Sequence, residues 1–170
     1  MADPLSILGS LVGVVAAGAQ LSLSLNEISN RIVHAPQEVA ELASEMSLLS
    51  STLGNLGEVL REGKGLYKPR MISNTKNMLS RIKDVHRDIR KMTKDARGLR
   101  RLGWVFRSVK AKALLAKIDS LKLTLSLTLA TMQLALRQKK ILEWAEYPNL
   151  AEPLYANTST ARKTTLPEQR

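Results

Sequence analysis

The chain has 170 residues, enough for one domain with a real core and too few for two full-sized domains. It contains no cysteine, which excludes a disulfide framework and a zinc–thiolate site and favours a reducing compartment. Its net charge is +11, which favours polyanionic partners. Its apolar residues are mostly Leu, Val, Ile, Met and Ala with few aromatics, and this composition favours helices over strands.

The first predicted helix starts at Asp3-Pro4, where a carboxylate can cap free N–H groups and proline suits the first helical position. The segment from Pro4 to Asn26 is uncharged, and the helix is expected to run to about Ile32. A signal peptide, a membrane span and a helix of a soluble bundle all fit such a segment. The start MADP lacks the basic n-region of a signal peptide, and the apolar pattern continues past the small residues of Ala17-Gly18-Ala19. We therefore expect the helix to be retained.

Small residues follow one another at intervals of four in this first helix, at Gly9, Gly13 and Ala17. Such a row lets two helices approach closely inside a membrane. It also lets a helix pack tightly against its own bundle. About 20 apolar residues cross a bilayer core, but the serines and glycines here dilute the hydrophobicity of a permanent span. The sequence thus predicts a helix that is able to pack in a bundle or to cross a bilayer, and leaves open whether it is buried at rest.

The second predicted helix follows a break at His34-Ala35-Pro36 and ends at Gly63-Lys64-Gly65, where glycine adopts the left-handed cap conformation at little cost. Its apolar residues alternate spacings of three and four, which is typical of an amphipathic helix. They are Val39, Leu42, Met46, Leu49, Leu53, Leu56 and Leu60.

The third predicted helix opens at Pro69 and combines an apolar stripe with a basic face. Between Lys68 and Lys112 there are fifteen basic and three acidic residues, so most of the net charge lies here. Local ion pairs with Asp84 and Asp88 explain the presence of individual basic residues on a solvated helix surface. The whole excess instead favours a polyanionic partner.

The fourth predicted helix begins near Trp104 and has apolar residues on much of its circumference. A main stripe is widened by further residues, and this pattern predicts a central helix covered on more than one side. The stripe is Leu114, Ile118, Leu121, Leu125, Leu129, Met132 and Leu136, widened by Leu115, Leu127, Leu134 and Ile141. The expected fold is all-α, a mostly antiparallel four-to-five-helix bundle over residues 1–147, followed by a flexible tail or linker at 148–170.

Catalytic signatures are missing from the sequence. The two histidines, His34 and His86, lie on different segments, and there is no cysteine nucleophile, phosphate-binding loop or metal-spaced ligand cluster. We expect neither an enzyme nor a bound cofactor, metal or small-molecule substrate.

Three stretches resemble a known family: ADPLSILGSLVGVVAAGAQLS, PQEVAELASEMSLLSSTLGNL and RRLGWVFRSVKAKALLAKIDSLKLTLSLTLATM. They are similar to the fungal HeLo-like N-terminal domains of STAND (NLR-type) receptors and related cell-death effectors, over about residues 1 to 145. Leu102-Gly103-Trp104 is the most specific element, and the resemblance makes Trp104 a core residue of the family type. It implies a bundle that oligomerises and releases its first helix into the plasma membrane. The chain departs from the family pattern, since it has neither a G-x-x-x-x-G-K-[ST] loop nor an amyloid-forming window in its tail.

The expected function is therefore a cell-death effector or receptor signalling domain, cytoplasmic at rest and at the plasma membrane on activation, where it would permeabilise the bilayer. The expected partners are anionic lipids, further copies of the chain and an NLR-type receptor in cis or trans. A non-lytic adaptor for homotypic or partner assembly in fungal innate immune signalling and a nucleic-acid-binding helical protein are the alternatives.

Two sets of residues carry the membrane hypothesis. The residues expected to insert are Leu5, Leu8, Gly9, Leu11, Val12, Gly13, Val15 and Ala17. The residues expected to contact anionic headgroups are Lys83, Arg87, Arg90, Lys91, Lys94, Arg97, Arg100 and Arg101.

Overall fold

The structure, a computed structural model, describes residues 4–31, 37–94 and 103–146. These residues form four α-helices: α1 (Pro4–Arg31), α2 (Gln37–Glu62), α3 (Pro69–Lys94) and α4 (Gly103–Glu146). No strand occurs in these three ranges, and the prediction of an all-α bundle is confirmed.

The helix boundaries lie close to the predicted ones because the signals that set them are local. Pro4 and Pro69 are the first residues of α1 and α3, where the missing N–H of proline leaves no helical hydrogen bond unmade. Gly65 has a φ of 81°, a conformation that suits glycine, in the turn that follows α2. The predicted cap at Asp3 and the predicted tail at 148–170 lie outside the described residues.

Successive helices run in opposite directions. Ser22 of α1 contacts Ala43 of α2, and Leu11 lies beside Gly57, so these two helices are antiparallel. Lys83 of α3 bonds to Ser10 of α1, and His86 lies beside Gly18, so α1 and α3 are parallel neighbours.

The helices surround one core in the order α1, α2, α4, α3. Each helix packs against two others, and in the described ranges α1 lies diagonally opposite α4 and α2 diagonally opposite α3. The turn from α2 to α3 therefore crosses one end of the bundle. Every residue of the predicted α2 stripe is buried, as are Ile82 and Ile89 of α3 and Ile118 and Leu125 of α4.

The prediction that the fourth helix is central was wrong. The bundle has four peripheral helices, and α4 buries one face only, at residues such as Leu114, Leu121 and Met132. Of the side chains predicted to widen its stripe, Leu127, Leu134 and Ile141 lie on the solvent side, 70%, 58% and 67% exposed, whereas Leu115 packs partly buried against the core. A four-helix arrangement offers α4 two neighbours, α2 and α3, and both contact the same side of it.

Candidate functional site: the groove between α1 and α3

The close contact of α1 within the bundle is with α2. Ser22 Oγ donates a buried hydrogen bond of 2.7 Å to the carbonyl oxygen of Ala43. Small residues recur every seven positions along α2, at Ala43, Ser50 and Gly57. A Cβ on Gly57 would lie 3.0 Å from Leu11 Cδ2, so a larger residue there would require the end of the Leu11 side chain to shift by a few tenths of an ångström.

Five large apolar side chains of α1 belong to the core: Ile7, Leu11, Val14, Leu21 and Leu25, none more than 5% exposed. Burying one such side chain is worth about 1.5–3 kcal/mol, so the five together contribute roughly 8–15 kcal/mol. This is the size of the whole stability of a typical domain, about 5–15 kcal/mol. In water, therefore, α1 stays in the bundle.

From Pro4 to Asn26, the outer face of α1 carries no charge. Val12 is 62% exposed, and Gly9 and Gly13 are exposed, with nothing within 4 Å of a Cβ placed on either glycine. The expectation that the small-residue row packs against its own bundle is therefore wrong for Gly9 and Gly13. The glycine at a close approach is Gly18, where a Cβ would meet Ser50 Oγ and the His86 ring.

A cavity of about 450 Å³ lies beside this small-residue row, between α1 and α3, and is called the α1–α3 groove below. The α3 wall of the groove is formed by Lys83, Arg87 and Arg90. Lys83 Nζ donates a hydrogen bond of 2.7 Å to Ser10 Oγ, and Arg87 forms an ion pair with Asp84. From α1, the groove is lined by Gly9, Ser10, Gly13, Val14 and Ala17. The groove therefore has an uncharged wall and a basic wall.

The structure thus places side by side two sets of residues that belong to separate helices and that no local sequence signal links. Lys91 and Lys94 are also exposed on α3, and Lys94 stands one helical turn beyond Arg90. Leu8, Val15 and Ala17 are half-buried, whereas Leu11 is in the core. Arg97, Arg100 and Arg101 lie outside the described residues, as do the side chains of Leu5 and Trp104.

Some basic residues outside the groove, all on α4, pair with acidic residues of another helix. From α4, Lys112 pairs with Glu38 at 3.2 Å, Lys122 with Glu45, and Lys140 with Glu62 at 3.1 Å. A backbone hydrogen bond and hydrogen bonds from Ser108 and Lys112 lower the pKa of Glu38. These acids all come from α2, and no acidic residue of α1 or α2 lines the groove. The groove therefore presents three cations with no acidic residue among its lining residues, which suits an anionic partner.

His86 is a residue of the groove that sequence reasoning missed. It is only 4% exposed, lies on the groove wall, and its Nε2 atom has no hydrogen-bond partner within the described residues. Burial, with a smaller contribution from the charge of Arg90, lowers the pKa of His86 to about 4. The spacing of Ile82, His86 and Ile89 was the available signal, since it continues the apolar stripe of α3.

The buried His86 predicts an acid-sensitive component of stability. Its folded pKa of about 4 lies below its ordinary value of 6.5, so its contribution is fully present above pH 6.5 and is lost as the pH falls towards 4. The difference corresponds to a loss of about 3 kcal/mol across this window. We expect urea unfolding of His86→Gln at a series of pH values to show a free energy of unfolding that falls less steeply over this range. An equally steep fall in wild type and variant would contradict the assignment.

Within the described residues, α1 also contains the one segment long and apolar enough to cross a membrane, Ser6–Asn30 with a mean hydropathy of 1.7. Length and composition alone identify it, and the core helix of a soluble bundle or a signal sequence can have both. No group of three or more potential metal-ligating residues occurs in the described ranges. No family model, curated protein or solved structure matches the chain.

Proposed function

We propose that the chain is a membrane-acting effector or receptor signalling domain, which docks on anionic lipid through the α1–α3 groove and then inserts α1. The observation that carries the proposal is the placement of Lys83, Arg87 and Arg90 directly beside the exposed, uncharged face of α1. Electrostatic docking followed by burial of an apolar helix is how interfacial helices bind membranes.

Docking needs no change of fold. The cations of the groove are exposed, and their neighbours on α1 are glycine, serine and alanine, which leave the headgroup region close access to the backbone. Each basic residue near an anionic surface contributes about 1 kcal/mol. Three of them together support reversible binding with α1 still in the core.

Insertion of α1 is supported by the energetics of its core face. Releasing the five buried apolar side chains into water would cost about as much free energy as the whole stability of a typical domain. A bilayer accepts the same side chains without exposing them to water. The 25 residues of Ser6–Asn30 span about 38 Å as a helix, more than the ~30 Å of a hydrocarbon core. Inside the bilayer, Gly9, Gly13 and Ala17 would let inserted copies of α1 pack together.

The biological setting follows from the resemblance to the HeLo-like group. It supports a fungal cell-death or innate immune role, with the protein in the cytoplasm at rest and at the plasma membrane after activation. Activation then means self-assembly, or assembly with an NLR-type receptor in cis or trans.

The test is dye release from vesicles containing phosphatidylserine, compared with vesicles of phosphatidylcholine alone. We expect the wild-type protein to sediment with the anionic vesicles and to release their dye, and to do neither with the neutral vesicles. Failure to bind anionic vesicles would overturn the proposal. A steeply salt-dependent gel shift with nucleic acid in place of vesicle binding would favour the basic face as a nucleic-acid surface.

A non-lytic adaptor is the second candidate, and the exposed apolar side of α4 favours it. Leu123 and Ile141 are 75% and 67% exposed. An apolar surface of this kind marks a site of protein association. Binding to anionic vesicles without dye release, together with self-association in solution, would support this function.

A further inference from the structure

The solvent side of α4 carries a regular row of apolar side chains, which we call the outer stripe. Its large members are Val109, Leu123, Leu127, Leu134 and Ile141, each more than half exposed. Ala116 and Ala130 are exposed at intermediate positions of the same row. The row lies opposite the face of α4 that enters the core.

The spacing of the outer stripe identifies the kind of partner that fits it. Val109, Ala116, Leu123 and Ala130 recur every seven residues, and Leu127, Leu134 and Ile141 do the same. A period of seven keeps an apolar seam facing a second helix, as in a coiled coil. From Ala116 to Ile141 the seam is about 38 Å long. No charged residue occurs from Leu123 to Leu136, so the middle of the seam is free of charge.

A second copy of α4, running antiparallel, complements this row. If the twofold axis passes between residues 128 and 129, Leu127 lies opposite Ala130 and Leu123 opposite Leu134 of the other copy. Ala116 then lies opposite Ile141. Two of these three layers pair a small residue with a large one, and the third pairs two leucines, so every layer contributes at least one large apolar side chain to the seam.

Charge favours the antiparallel direction. Asp119 and Arg137 are exposed and flank the outer stripe on the same side of α4. In the antiparallel pair the Asp119 carboxylate reaches the level of Arg137 in the other copy, and symmetry gives this ion pair twice. A parallel pair in register would instead place the two copies of Arg137 on opposite sides of the seam, about 27 Å along the helix from either Asp119.

We propose that the outer stripe of α4 is a self-association surface, which joins two copies of the chain as an antiparallel helix pair in solution. The proposal does not depend on the membrane function, because it uses the side of the bundle formed by α4 and needs neither lipid nor release of α1. If the protein is a monomer in solution, the self-association proposal is overturned and the membrane proposal is unaffected.

The first test measures the molar mass of the full chain by sedimentation equilibrium without lipid. We expect a dimer for the wild type, and a dimer dissociation constant at least about 100-fold higher for Leu127→Glu, because a charge then enters the seam from both copies. The matched control is Leu48→Glu, a large apolar residue on α2 that is 52% exposed and should leave the dimer unchanged. A monomeric wild type, or equal effects of both variants, would overturn the proposal.

The second test determines the direction of the pair, and the absence of native cysteine makes it clean. Ala116→Cys and Ile141→Cys proteins are mixed and oxidised. Antiparallel pairing predicts disulfide-linked dimers in the mixture and none from Ala116→Cys alone, since its two copies of residue 116 would lie about 38 Å apart. Efficient cross-linking of Ala116→Cys alone would show a parallel pair and overturn the antiparallel assignment.

Discussion

A disulfide that fastens α1 to α2 is expected to abolish dye release from phosphatidylserine vesicles while leaving vesicle binding intact. The substitutions are Gly18→Cys and Ser50→Cys. A Cβ at position 18 would meet Ser50 Oγ, the atom that a cysteine sulfur replaces, so residues 18 and 50 are adjacent and a small separation of α1 from α2 brings the pair to disulfide geometry. Oxidised protein keeps the groove cations exposed and cannot release α1 from the core, whereas reduction frees the helix.

The same preparation serves as its own control, since the wild-type chain has no other thiol. Dye release should return when a reductant is added, and Ser50→Cys alone should release dye under both conditions. This design is sharper than deleting residues 1–20, which would remove Ile7, Leu11 and Val14 from the core and destabilise the whole bundle. If the oxidised double variant releases dye as fast as the wild type, α1 is not the inserting element.

Neutralising the basic wall of the groove is expected to weaken binding to anionic vesicles by about 100-fold, since each cation near such a surface contributes about 1 kcal/mol. The variant combines Lys83→Gln, Arg87→Gln and Arg90→Gln. All three side chains are exposed, and the ion pair of Arg87 with Asp84 is on the surface, so the fold should be retained. Co-sedimentation with phosphatidylserine vesicles over a range of lipid concentrations measures the change.

A second triple variant separates the position of the charges from their number. Lys64→Gln, Lys68→Gln and Arg70→Gln remove three exposed cations from the turn between α2 and α3 and the start of α3. The net charge changes equally in both variants, but the control should lose less than about tenfold in binding because these cations lie away from the groove. Equal losses would mean that the protein binds anionic lipid through its overall charge and not through the groove.

The two experiments examine separate steps of the proposed function. The groove variant should lose binding and with it all dye release, whereas the oxidised disulfide variant should lose only dye release. An adaptor that never inserts would bind lipid without releasing dye in either redox state, so the pair of results also separates the two candidate functions.

The sequence by itself determined the number, type and approximate limits of the helices. Proline at the start of α1 and α3, the glycines after α2 and the three-and-four spacing of apolar residues are local signals that act within one or two turns. The composition of α1 and the concentration of basic residues in α3 were equally visible. Each feature belongs to a single segment, and for that reason no knowledge of the neighbouring helices was needed.

Only the tertiary structure decided which surfaces meet. The sequence predicted that α4 is covered on more than one side, yet only the side at Leu121 and Leu125 is in the core, and the side at Leu127 and Leu134 faces solvent. The row of Gly9 and Gly13 was compatible with packing inside the bundle, but it faces the groove and the cations of α3. These outcomes depend on the fit between surfaces of residues distant in the chain, as at Gly18, Ser50 and His86, and helical periodicity contains no information about that fit.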